Sequence, residues 1–320
     1  MSGRVSRRVL IAFSIVAVCM TPAAHAGLFR AFLSSSGNDA NLCTVQQPCR
    51  LLPAALNAVN DGGEIWMLDS ANYNTSTVSI TKSVSILAVP GAVGSVVANG
   101  GDAIHISAPT SNVSLRNVNV RPLSGGGVNG VTIAAVGHLT IDNSVVENLD
   151  VGVALTGAAI ISIKDSVFRL NIFGLLVNQS GNAAESLSID NVNFIDNAES
   201  IVGLTNSTSG FLRMTIDNSV IRGGGGGDGA LAFGGGVPGA APVNVSIAHT
   251  KIAGNGSGNG LSSFGSQTVV SIADCHISGW AIGGTRVVNG ASGLGTLQSL
   301  GNNFLVDNGA AVISGTIAPR

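Results

Sequence analysis

Few residues in this chain have the types and spacing that chemistry needs. Asp142, Asp190 and Asp217 recur in equivalent positions just before a turn, with Lys164 in the copy between the first two. Acids in such a stripe can hold a cation, but the same pattern serves a solvated strand face, and that is the reading adopted. The run Gly223–Gly227 followed by Asp228 matches one glycine-rich calcium nonapeptide. Such sites need tandem copies to share a coordination shell, so one copy reads as a loop. His105, His138, His249 and His276 fall in different repeats without metal-ligand spacing, and neither metal nor cofactor is expected. Arg213 and Arg222 flank one strand and read as solubilising charges. Trp66, Trp280 and Tyr73 are too dispersed for a sugar-stacking platform. Cys275 takes the place that Ser holds in Asn143-Ser144, Asp165-Ser166 and Asn218-Ser219. A reactive thiol wants a positive neighbourhood, and with His276 alone at hand Cys275 reads as a small buried thiol.

Composition limits the classes of function. Of 320 residues 45% are hydrophobic and 10% charged, with 44 glycines, enough apolar material for a large core and too little charge for a disordered chain. Residues 1–26 read as an export signal: Arg4, Arg7 and Arg8 precede the apolar run Val9–Met20, and Ala24-His25-Ala26 offers a cleavage site. Ser6-Arg7-Arg8-Val9-Leu10-Ile11 also fits a twin-arginine signal. The apolar run is too short to span a bilayer. Removing the segment leaves twelve basic against seventeen acidic residues. That balance excludes a basic surface for nucleic acid, and no second apolar run offers a membrane span. Periplasmic, extracellular or cell-surface placement follows. Cys43 and Cys49, close together in an exported chain, are expected to form a disulfide.

The elements that must position any site come from repetition. Val113-Ser-Leu115-Arg-Asn117, Leu139-Thr-Ile141-Asp-Asn143, Ile161-Ser-Ile163-Lys-Asp165, Leu187-Ser-Ile189-Asp-Asn191, Met214-Thr-Ile216-Asp-Asn218 and Val270-Ser-Ile272-Ala-Asp274 are one phrase. Val245-Ser-Ile247-Ala-His249 is another copy, and a looser one ends at Gly301. A second phrase at the same period opens on a small residue, as in Gly130-Val-Thr-Ile133, Gly152-Val-Ala-Leu155 and Gly174-Leu-Leu-Val177. Polar corners, often Asn, lie between: Asn148, Asn171, Asn197, Asn255, Asn308. The turn residues advance by 22 to 31 positions, the longest step running from 218 to 249. Helical spacing is missing after residue 64. The pattern describes an all-β coil of about ten rungs stacked into parallel sheets, about 45–50 Å long at ~4.8 Å per strand. Asn and Asp at the bends tolerate left-handed backbone, so Asn117, Asn143, Asp165, Asn191, Asn218 and Asp274 are expected to form a structural ladder. Before the coil, Leu51, Leu52, Ala55, Leu56 and Val59 recur at helical spacing and predict a short capping helix. The organisation is a signal at 1–26, a cap with its disulfide loop at 27–63, and the coil at 64–320.

The repeats 64–313, with Gly37-Asn-Asp-Ala-Asn-Leu-Cys43, Pro48-Cys49-Arg50 and Gly62-Gly63-Glu64-Ile65 before them, resemble bacterial secreted right-handed parallel β-helix proteins of the pectin-lyase-like group. That resemblance implies the fold and leaves the function open, since the group includes lyases, hydrolases and adhesins. It also implies a substrate groove along the outside of the first sheet, where the outward positions are His105, Thr132, Ala154, Leu176, Gly203, Ala232 and Ser262. Lyases of the group need carboxylates for calcium plus a basic residue there, and inverting hydrolases need paired acids. This column has neither. The expectation is a non-enzymatic structural or surface-interaction protein, adhesin-like, meeting a surface glycan or protein or associating with itself through the C-terminal rung. The alternative is a polysaccharide lyase or glycoside hydrolase with its site in the corner loops 121–129 or 222–238.

Overall fold

The computed structural model describes residues 27–123, 128–224, 226–309 and 315–316. The expected export segment and most of the last phrase lie outside the described residues, and so does the rung on which self-association was placed. Each turn of the chain lays down three strands. A front sheet contains Val151–Leu155, Phe173–Gln179, Glu199–Thr205, Leu231–Gly235 and Asn259–Phe264. A back sheet contains Ala159–Lys164, Ala184–Asp190, Phe211–Asp217, Val243–Ala248 and Thr268–Ala273, and a side sheet is built of three-residue strands such as Val167–Arg169 and Asn193–Ile195. These strands pair in parallel with their equivalents one turn on, and the short strand Gly293–Leu294 near the C-terminal end pairs antiparallel. The coil makes about nine turns, and its side sheet has ten strands. The strands Ile104–Arg116 and Val131–Asp142 run through the bend from front to back, which joins those two sheets into one hydrogen-bonded surface.

The repeated phrase explains the register. Its second apolar residue points inward, so Ile163, Ile189, Ile216, Ile247 and Ile272 stack in one column. All are essentially inaccessible to solvent, and each contributes about 1.5–3 kcal/mol by burial. The hydroxyl residue before it points outward, which puts Ser162, Ser188, Thr215, Ser246 and Ser271 in a second column. A slip of one residue would exchange these columns, so the register is strongly held.

Asn117, Asn143, Asp165, Asn191, Asn218 and Asp274 take φ between 47° and 53°, and His249 joins them at 45°. Their side chains are mostly exposed. Asn191 Nδ2 donates to Asp165 Oδ1 at 2.7 Å and Asn218 Nδ2 to Asp190 Oδ1 at 3.0 Å, bonds that water can replace. The buried amide ladder runs along the opposite corner, between side and front sheets. There Asn197 Nδ2 donates to Phe168 O (2.9 Å), while its Oδ1 accepts from Asn171 Nδ2 (2.9 Å) and Asn171 N (3.1 Å). Asn171 Oδ1 accepts in turn from Leu149 N at 3.0 Å. The small residue that opens the second phrase also has a steric cause. A Cβ on Gly174 would lie 2.9 Å from the ring of Phe194, which stacks on Phe168 at 5.1 Å between centroids.

At the N-terminal end Leu28–Leu33 pairs in parallel with Val59–Met67 and is already part of the coil. The boundary expected at 63/64 therefore falls within a strand. Cys43 and Cys49 are bonded, and their loop occupies the outer edge of Leu28–Leu33. Phe32 N donates to Cys43 O at 2.8 Å, and Cys49 N to Phe32 O at 2.9 Å. The helix Leu52–Ala58 lays Leu52, Ala55 and Leu56 over the open end of the core. It ends one residue short of Val59, which instead starts the next strand.

Denaturant titration should show Asn197→Ala destabilised by about 1–3 kcal/mol, because three buried groups lose partners. Asn206→Ala, an exposed loop position, should change by less than about 0.5 kcal/mol. Equal losses would place the amide ladder elsewhere. The Cys43–Cys49 bond closes only a short loop, so its reduction should cost about 2 kcal/mol, read as a lower unfolding midpoint in dithiothreitol.

Candidate active site

The outward column of the front sheet is His105, Thr132, Ala154, Leu176, Val202, Ala232 and Ser262 by strand register. Val202 takes the place expected for Gly203. Gly203 points inward, and a Cβ there would lie 3.0 Å from Phe233, so the large ring one rung on requires the small residue. The column carries no acid.

Two acids stand beside it. Glu199 opens its front strand at the corner, two positions beyond Asn197. The backbone there is held by Ala198 N donating to Asn171 O (2.9 Å) and Glu199 N to Ile172 O (2.8 Å). One rung on, the glycine run leaves the coil through Gly223 and Gly224, at φ 77° and 78°, and brings Asp228 back to the same corner. Gly226 N donates to Ala198 O at 3.1 Å, and the Ser262 hydroxyl donates to the Asp228 carbonyl. A Cβ on Gly227 would fall 2.1 Å from Glu199 Oε1. Glycine therefore lets the loop backbone lie against the Glu199 carboxyl group. Burial, and then the charge of Asp228, push the Glu199 pKa up to about 7. Asn259, further along the same column, is buried with Oδ1 lacking a hydrogen-bond partner. A carboxyl that keeps its proton near neutrality beside a second carboxylate is the equipment of general acid catalysis.

The other candidates separate. Asp142 is bracketed by Arg116 at 2.9 Å and Lys164 at 3.6 Å, and Asp217 is bonded to His249 at 2.8 Å. That bond raises the pKa of His249. The acidic stripe is thus a paired strand face, and no group of three metal-ligating side chains occurs among the described residues. Cys275 is buried, and burial raises its pKa. Its Sγ bonds to Ala273 O at 3.2 Å, as Ser166 Oγ does to Lys164 O (2.6 Å) and Ser219 Oγ to Asp217 O (2.7 Å). Trp280 is in the core, Tyr73 is buried, and Trp66 is covered by Arg30 at 4.0 Å. Two hollows lie elsewhere, one of about 630 Å³ over the back sheet and one of about 670 Å³ between the helix and the disulfide loop. Neither is lined by a pair of acids.

No family model matches the chain, and no curated protein matches it in sequence. Among solved structures it resembles pectate lyase Pel9A, with a TM-score of 0.62 at 15% identity over 90% of this chain and 78% of that one. It also resembles the GH136 lacto-N-biosidase from Eubacterium ramulus, with a TM-score of 0.53 at 12% identity over 90% and 67%. At such identities the likeness is one of fold. The chain has the parallel β-helix fold of these proteins. Among the described residues no helix is long and apolar enough to cross a membrane.

A third acid sits inside the coil. Glu185 shares an inward column with Ala159, Leu212 and Val243. It is fully buried, and neither carboxyl oxygen has a partner. Burial alone pushes its pKa up to about 8. The folded state therefore keeps a proton that the unfolded chain releases above about pH 4.5, so stability falls between about pH 4.5 and 8, by a few kcal/mol at most. Thermal unfolding followed from pH 5 to 9 should show this decline in the wild type and a flatter profile in Glu185→Gln. Parallel profiles would mean that Glu185 reaches solvent or a partner.

Proposed function

We propose that the protein is an exported glycoside-cleaving enzyme whose site is the corner built by Glu199 and Asp228 in the loop 222–238. The observation that supports this most is the Glu199 carboxyl group, held near pKa 7 beside Asp228 on the outer edge of the front sheet. Glu199 in its acid form gives its proton to the glycosidic oxygen as the bond to the anomeric carbon breaks. Asp228 takes a proton from a water whose oxygen forms the new bond to the oxocarbenium-like carbon. A hydrolase fits better than a lyase, because the column beside the acids carries neither a carboxylate cluster for calcium nor, next to Glu199, a basic residue. The non-enzymatic reading rested on missing paired acids, and Glu199 with Asp228 removes that ground. The disulfide is in keeping with export.

A reducing-sugar assay over neutral and acidic oligosaccharides tests the proposal. Hydrolysis should fall by about 100-fold or more in both Glu199→Gln and Asp228→Asn. The wild-type kcat/KM should fall as pH rises through about 7, where Glu199 loses its proton. Product absorbing in the ultraviolet would indicate elimination instead. Unchanged rates in both variants, or no turnover of any glycan, would overturn the assignment.

A further inference from the structure

The surface around the two carboxyl groups specifies what they could meet. Phe173 stands one rung before Glu199 in the same column, paired Phe173 to Glu199 in register, and it is half-buried. Leu176 stands one rung before Val202 in the neighbouring column. Together with Leu204, Ala232, Phe264 and Val288 these residues form a second apolar cluster, outside the coil and separate from its core. The inner part, Val202, Ala232 and Phe264, is buried, whereas Phe173 and Leu176 keep part of their surface open beside Glu199.

Acids outnumber cations at this corner. Asp150 precedes the column, Asp196 lies on the turn before Glu199, and Asp228 closes it. Arg222, the cation of the same corner, is committed to Asp196 at 3.4 Å. Arg286 stands in the outward column two rungs beyond Ala232, away from Phe173. A polyuronate would bring a carboxylate on each sugar against this excess of negative charge, with no free cation beside Glu199 among the described residues to offset it. A neutral sugar brings an apolar C–H face, which an aromatic ring and a leucine can cover, and hydroxyls for the polar rim.

We infer that the ligand of this site is an uncharged oligosaccharide, seated by the apolar face of a sugar ring on Phe173 and Leu176 next to Glu199. The inference rests on the catalytic reading for the site's location and goes beyond it in substrate class and in the residues that select it. Phe173 positions the ligand and takes no part in proton transfer.

Binding without turnover separates the two claims. Calorimetric titration of the full chain carrying Glu199→Gln would use neutral probes (cello-, xylo- and galacto-oligosaccharides and N-acetylglucosamine oligomers) against oligogalacturonate. At least one neutral probe should bind, with oligogalacturonate weaker by about tenfold or more. Adding Phe173→Ala should weaken the neutral probe roughly tenfold. Adding Phe173→Leu, which keeps apolar bulk and guards against a folding defect, should weaken it less. Tighter binding of oligogalacturonate, equal affinity in all the Phe173 variants, or no binding of any neutral probe would overturn the inference. Neutral binding that depends on Phe173, with no turnover by the wild type, would retain it and remove the catalytic reading instead.

Discussion

One left-handed residue at the same place in every turn carries this architecture. A parallel coil of three short sheets must reverse direction within one or two residues after each back strand, because a longer bend would carry the next strand out of register with the one below it. Asn and Asp reach positive φ at little cost, and seven consecutive turns place Asn, Asp or His there with φ from 45° to 53°. With the corner held, every strand lands on its predecessor, and identical side chains stack with identical ones.

Stacking then sorts the residues without further instruction. The isoleucine column, the hydroxyl column and the Phe168–Phe194 pair each follow from equal register on successive rungs. The two Asn corners nevertheless differ in kind. At the exposed corner the side chain matters for the backbone conformation that it permits. At Asn171 and Asn197 it matters for hydrogen bonds that no water can supply.

The candidate site appears where repetition fails. The longest step between turn residues spans 218 to 249, and its extra residues form the glycine loop that carries Asp228 back against Glu199. Conformational freedom at Gly223 and Gly224 lets the loop leave the coil, and the missing side chain of Gly227 lets it close over a carboxyl group. Enclosure holds the proton on Glu199, and the neighbouring acid reinforces that. Glu185 shows the same physics without an exit. Inside the coil a carboxyl group with no partner burdens stability, while at the rim it meets whatever docks there.

The chain alone announced its strands, turns, cap and disulfide, because each depends on neighbours in sequence: alternation, a left-handed turn residue, helical spacing, two cysteines six positions apart. It offered loops 121–129 and 222–238 as places for a site only as the alternative to a non-enzymatic reading, and the long step from 218 to 249 was the available signal for the second of them. Yet it put Gly203 on the outer column, since a small residue gives no sign of which face it occupies until Phe233 is known to lie above it. The turn ladder Asn117 to Asp274 takes the left-handed backbone that the sequence predicted, but the sequence did not tell which Asn corner is buried, as burial of Asn197 depends on the rungs either side. The pairing of Glu199 with Asp228 was settled by tertiary structure. The two are 29 positions apart, and only the coil's register and the closing of the glycine loop bring them to one corner, where burial first and the charge of Asp228 second hold the proton on Glu199.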